Sequence, residues 1–257
     1  MEAPKQTASS GLGLAIATLA AIVGTLLVNT LSNIVPPGGQ NVGEIANTVL
    51  AGVLITPANY AFAIWGLIYI GLIAYGLYQL KPNQRQDPTI RQVNKSLIIA
   101  CLAQMIWIFL FTLQYFSLSI LAMLAILLPL LGAYFALQSD QAANRQRRWF
   151  AQYPFSIYLA WISVATVVNV ASSLYAAGWS GWGLDDIGWT VAMIFVSAAI
   201  AALVVLTRRD LPFVLVFVWA YSAIAMRHAD VALIWGSALV AATALLVLLG
   251  FRQLQNS

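Results

Sequence analysis

Residues 153–169 read YPFSIYLAWISVATVVN. The run is apolar enough to sit in lipid, yet it carries a Trp, two Tyr, two Ser, a Thr and an Asn. Lipid offers no hydrogen bonds, so such groups must face protein or a cavity. Wound as a helix, Tyr158, Trp161, Ala165, Asn169 and Ser172 share one face at i, i+3 and i+7 spacing. Ile157, Leu159, Ile162, Val164, Val167 and Val168 take the other faces. The segment reads as a membrane-spanning helix whose polar, aromatic face turns inward.

The rest of the chain agrees with a membrane setting. Of 257 residues, 61% are hydrophobic and only 8% charged, against about a quarter charged in a soluble domain. Mean hydropathy is +0.86. The net charge of +4 arises from few charges and forms no basic face for a phosphate backbone, so nucleic acid is not an expected partner. The single Cys101 cannot close an internal disulfide.

A bilayer-crossing helix needs about 20 mostly apolar residues. Eight runs qualify: about 12–34, 58–80, 95–116, 118–138, 153–175, 187–207, 211–226 and 230–251. The fold class is therefore an all-α integral membrane protein of about eight transmembrane helices. Ser96 to Leu137 is nearly unbroken and as one helix would reach about 60 Å, so it must turn back, near Ser117–Ser119. The run 211–226 is the shortest, about 24 Å, and reads as a thinned span or a re-entrant piece. Residues 12–34 outrun a signal h-region and follow only Lys5, so they read as a retained span.

With eight spans, eleven of the twelve Lys and Arg fall on one side and only Arg227 on the other. The positive-inside rule then puts both termini in the cytoplasm, with the cell membrane as the expected location. The longest loop on the far side is about 35–57. It holds PPGG at 36–39 and an amphipathic EIANTVLAGVL at 44–54, and its length suits a cover over a site.

No span carries a charge at its middle, which disfavours proton-coupled transport. No phosphate loop, HExxH or Cys/His cluster occurs, so no metal site is expected. His228, beside Arg227 and Asp230, reads as a solvated interfacial residue. Nothing places a nucleophile near it, so catalysis is not expected.

What remains is aromatic and small polar. Of nine Trp, Trp149, Trp179, Trp182 and Trp189 fall near span ends, as an interfacial belt would. Trp219 and Trp235 read as packing between helices. In the second span Pro57 suits a helix start, Trp65 and Tyr69 share a face, and Gly66 and Gly76 permit close helix contact. In the third, Gln104, Trp107 and Phe111 share a face. On these residues alone, interhelical adhesion and a ligand pocket are about equally supported.

These three faces resemble the tryptophan-rich sensory protein and translocator protein family (TspO/MBR), a five-helix membrane fold. The fifth-span motif is met by Tyr158, Leu159, Trp161, Ala165 and Asn169 in YLAWISVATVVN. WGLIY matches the second span through Trp65, Gly66 and Tyr69, and Trp107 with Phe111 matches the third. The chain departs from the pattern at Ala63, where a Pro is usual, and at Gln104, where an Asn is usual. The Pro after the third-span Trp is also absent, and the run Tyr60–Phe62 slips by one residue.

The resemblance implies a TspO-like bundle over residues 1–175, with 176–257 as additional C-terminal transmembrane helices. It implies a pocket built from Trp65, Tyr69, Gln104, Trp107, Tyr158, Trp161, Ala165 and Asn169. It also implies a hydrophobic planar ligand such as a tetrapyrrole (haem or protoporphyrin) or a sterol-like molecule, with no cofactor required. The expected partners are the lipid bilayer and that ligand, and a homodimer stays open. The function so implied is a binding, sensory or translocator-like one. A multi-pass small-molecule transporter or permease is the alternative, since eight spans offer more ways to form a path. Against it stand the uncharged span interiors and the lack of a clear inverted repeat.

Overall fold

The computed structural model describes residues 11–140 and 144–255. Every regular element in it is helical. The first is α1 (Leu12–Ile34), followed over the first loop by the short α2 (Val42–Asn47) and a 3₁₀ turn (Asn59–Ala63). Next come α3 (Ile64–Gln79), α4 (Pro82–Arg85), α5 (Pro88–Thr112) and α6 (Phe116–Gln138). A single turn, α7 (Arg145–Arg147), passes through a π-turn (Arg148–Gln152) into α8 (Tyr153–Ala176). The chain ends with α9 (Asp186–Arg208), α10 (Leu211–Arg227) and α11 (Ala232–Leu254).

Seven of these segments are long and apolar enough to cross a membrane. The eighth expected span, α10, has 17 residues, about 25 Å at 1.5 Å per residue. The expected count of eight is therefore seven full-length helices and one short one among the described residues. Lys5, used in the charge count, lies outside them.

Local chemistry explains where the boundaries moved. The third span starts at Pro88, not near 95, because Asp87 caps it by accepting from the Ile90 N–H at 3.0 Å, with Pro at the first turn. The turn between the third and fourth spans falls at 113–115, before the expected Ser117–Ser119. Gln114 takes φ +63° there, and Ser119 is already inside α6, donating to the Phe116 carbonyl at 2.7 Å. Pro57 does not open a helix: the 3₁₀ turn intervenes, and α3 begins at Ile64. The amphipathic run 44–54 is helical only to Asn47. Gly76 does sit against α1, where a Cβ would lie 2.9 Å from Leu19, but Gly66 has open space around it. A second close approach in α3 is at Gly71, against Pro154 of α8. Pro154 lacks an N–H, and the widened π-turn just before it fits that missing bond.

The segment Tyr153–Ala176 is the central helix. Its polar face is buried, with Tyr158, Trp161, Asn169 and Ser172 each at most 3% exposed. Leu159, Ile162 and Val164, on the other faces, are buried as well. The reason is that α8 packs against α3, α6 and α10 together, so it meets protein nearly all round. Lipid-facing surface falls elsewhere, for example at Ile16, Leu27 and Leu31 of α1.

The C-terminal helices lock onto this centre. Asp210 is buried, accepts from Ser156 at 2.6 Å and from Gln138 at 3.1 Å, and caps α10 through the Phe213 N–H. Three elements thus meet on one carboxylate. At the same end Arg147, 5% exposed, pairs with Asp87 at 2.6 Å and with Asp140. Trp219 donates to the Ala61 carbonyl at 3.1 Å, while Trp235, expected between helices, is two-fifths exposed. Trp179, Trp182 and Trp189 form one ring cluster, with Trp179 and Trp189 centred 4.8 Å apart.

Candidate functional site

Helices α1, α3, α5, α6 and α8 and the first loop enclose a cavity of about 590 Å³. Its deep wall is aromatic and amide-bearing: Trp65, Gln104, Trp107, Phe111, Trp161 and Asn169. Ala165 lines it as well, and its small side chain leaves space between Trp161 and Asn169. Two other expected residues stand behind this wall. Tyr69 stacks on Trp65 at 5.5 Å, and Tyr158 meets Trp65 edge-on at 6.1 Å. Six of the eight expected residues therefore face the cavity, and Tyr69 and Tyr158 buttress Trp65.

The polar groups of the wall are not equivalent. The Trp107 indole N–H donates to Asn169 Oδ1 at 2.8 Å, and Asn169 Nδ2 donates to Ser119 Oγ at 3.0 Å. Asn169 is thus spent on holding α5, α6 and α8 together, the adhesive role open for it in the sequence. Gln104 differs. Its Oε1 faces the Tyr158 hydroxyl at 3.5 Å, a long contact, and its buried Nε2 has no partner. The Tyr69 hydroxyl is also buried, with Asn29 of α1 as its nearby side-chain partner. Unsatisfied buried donors are rare and call for an explanation, a ligand among them.

The roof is the first loop. Asn41 and Glu44 form a capping box on α2: Asn41 accepts from the Glu44 N–H at 3.0 Å, and Glu44 accepts from the Asn41 N–H at 2.8 Å. Ile45, Leu50, Val53 and Ile55 are buried beneath the loop. Gly38 packs on the end of α5, where a Cβ would meet the Thr112 carbonyl at 2.0 Å. The far edge is tied to α10. Ala58 N–H donates to the Ala223 carbonyl at 3.1 Å, and Arg227 reaches the Pro57 and Ala46 carbonyls at 3.4 and 3.5 Å. His228, expected to be solvated, is buried under this loop at 8% exposure. Burial pushes its pKa below the ordinary histidine value, against a hydrogen bond to the Leu54 backbone that raises it.

The cavity rim carries an amide set that sequence reasoning did not single out: Asn29, Asn33, Asn41, Asn47 and Asn59. A signal for them existed. Five Asn within 31 residues around a Gly/Pro-rich loop is a dense polar patch in so apolar a chain. Among the described residues no cluster of His, Cys, Asp or Glu could hold a metal ion.

A family model described as TSPO-like protein matches residues 15–251, nearly the whole chain. The chain belongs to the TSPO-like protein family. The match takes in α9, α10 and α11 as well as the helices that form the cavity. Neither the curated proteins nor the solved structures give a match. This TSPO-like protein is an integral membrane protein by its seven long apolar helices.

Proposed function

We propose that this TSPO-like protein is a membrane-embedded binding or sensory protein for a hydrophobic, planar molecule such as a tetrapyrrole or a sterol-like compound, seated under the first loop. One observation carries the reading: a cavity of about 590 Å³ walled by Trp65, Trp107 and Trp161, with the unpartnered Gln104 amide in the same wall. That volume lies within the roughly 300–1,000 Å³ of small-molecule sites, which pair apolar walls with a few polar anchors. Indole faces suit a flat ring system, and Gln104 Nε2 would donate to an acceptor on its edge. The Asn-rich rim would meet the polar end of the ligand.

Residues 1–175 would then be the pocket-bearing bundle, and 176–257 its brace, because every cavity-lining residue falls between Asn29 and Ser172. Binding is favoured over permeation. Toward the opposite end of the bundle, Leu97 and Cys101, which precede Gln104 on α5, and Phe155 on α8 are fully buried, so the bundle is packed there. The charge asymmetry supports placing both termini on the cytoplasmic side of a cell membrane.

The test is quenching of Trp fluorescence on titration with protoporphyrin, in the wild type, Trp161→Ala and Ala165→Phe. Saturable quenching in the wild type that is lost in both variants is expected. Linear, unsaturable quenching in all three would overturn the reading.

A further inference from the structure

A second concavity, of about 1,190 Å³, opens on the outer surface between α3, α8 and α10. It is separate from the cavity under the first loop and shares no lining residue with it. Its walls are apolar, with Leu67, Ile70 and Leu215 each about half exposed or more. Along α3 it runs from Ala63 to Ala74, about 16 Å at 1.5 Å per residue. Half of a bilayer's hydrocarbon thickness is about 15 Å. The groove is therefore one leaflet long.

Its two ends differ. At the Ala63 end lies Trp219. At the other lie Arg145 and Gln146 of α7, with Trp149 and Tyr153 in edge-on contact at 5.2 Å. That aromatic pair marks headgroup depth. Arg145 is exposed and makes no ion pair among the described residues. The nearby carboxylates are already engaged: Asp87 and Asp140 by Arg147, Asp210 by Ser156 and Gln138. Arg209, also exposed, precedes Leu211 of the groove wall by two residues. The groove thus joins an acyl-chain-length apolar channel to an uncompensated cationic mouth.

We propose that this groove holds one anionic phospholipid from the leaflet at the basic end of the bundle, an acyl chain lying along α3 and its phosphate at Arg145. Basic pockets between membrane helices recognise anionic headgroups, and each Arg near the surface adds about fivefold in affinity. The site needs no ligand in the loop-covered cavity and stands independently of the function proposed above.

Native mass spectrometry of the full chain in detergent, titrated with phosphatidylglycerol or phosphatidylcholine of identical chains, tests it. One phosphatidylglycerol is expected to stay bound at energies that strip phosphatidylcholine. Arg145→Gln should weaken the phosphatidylglycerol adduct about fivefold, and Arg145→Gln with Arg209→Gln further. Ala74→Trp, which fills the channel, should remove it while the melting temperature holds. Soluble glycerol phosphate should not bind, since it lacks the chain. Equal retention of both lipids, untouched by Arg145→Gln, would leave only unselective annular lipid and overturn the proposal. So would a dimer that Ala74→Trp dissolves, because a second copy would then occupy the groove.

Discussion

The indole of Trp107 on α5 donates to the side-chain carbonyl of Asn169 on α8, 2.8 Å away, and both residues are buried. Ser119 on α6 accepts from the other half of the same amide. Three helices are therefore registered against one another by a single Asn. Replacing it with Ala leaves the Trp107 N–H buried and unpaired, which costs about 1–3 kcal/mol. Asn169→Ala should accordingly melt well below the wild type in detergent. Trp107→Phe removes the donor, so the double variant should lose less than the sum of the two singles, with about 1 kcal/mol of coupling. Additive losses would mean that the bond contributes nothing to the register.

Gln104 predicts the reverse sign. Its Nε2 is buried with no partner, so the free protein bears the desolvation cost of a donor it does not use. Gln104→Met keeps the volume and removes the amide. The ligand-free protein should gain stability, by about 1 kcal/mol, while the affinity for protoporphyrin falls tenfold or more. Thermal unfolding and quenching titrations on the same preparation measure both. A variant less stable and equally tight would show that the amide serves packing and not recognition.

The contrast between these two amides shows what could be read from the chain. Helical spacing alone placed Trp161, Ala165 and Asn169 on one inward face, because a polar group in lipid has nowhere else to go. It could not say that Asn169 is satisfied by Trp107 and Ser119, since a partner on another helix leaves no mark in the spacing. Ser119 read as a turn residue for that reason. The segments α8 and α10 were hard for a related cause. Hydropathy measures transfer to an apolar medium and does not distinguish lipid from a protein interior, so the buried Leu159 and Ile162 look like lipid-facing residues. His228 read as solvated because Leu54, in the loop that covers it, lies 174 residues earlier in the chain.

Asp87 makes the stability depend on acid pH. Partial burial raises its pKa, but the Arg147 guanidinium and the Ile90 N–H outweigh that and hold it below the usual carboxylate range. A carboxylate depressed in the fold contributes stability above its unfolded pKa of about 3.9 and loses it as the pH falls through the folded value. The acid limb of the wild-type stability curve should therefore fall below about pH 4. Asp87→Asn keeps a competent helix cap and removes the charge. Because Asp140 still pairs with Arg147, the cost at neutral pH should be only about 1 kcal/mol, below the penalty for an orphaned buried charge. The same substitution should flatten the limb below pH 4. Urea unfolding in detergent micelles at stepped pH reads both effects, and an unchanged acid limb would deny Asp87 this role.

The roof over the cavity is held at both ends by contacts that can be cut one at a time. At its start, Gly38 lies so close to the last turn of α5 that a Cβ would overlap the Thr112 carbonyl, and backbone on either side cannot yield cheaply. At its end, Arg227 donates to the Pro57 and Ala46 carbonyls over 3.4 and 3.5 Å, long bonds that are individually weak. Gly38→Ala should thus lift the loop from α5, and Arg227→Gln should loosen it only in part. Hydrogen exchange across residues 42–56 should quicken strongly in the first variant and by a few-fold in the second, while amides of α5 and α6 keep their protection. If the loop governs access, ligand release should accelerate in the same order with little change in the melting temperature. Faster exchange in the loop with unaltered release would mean that the ligand leaves by another route, between the helices.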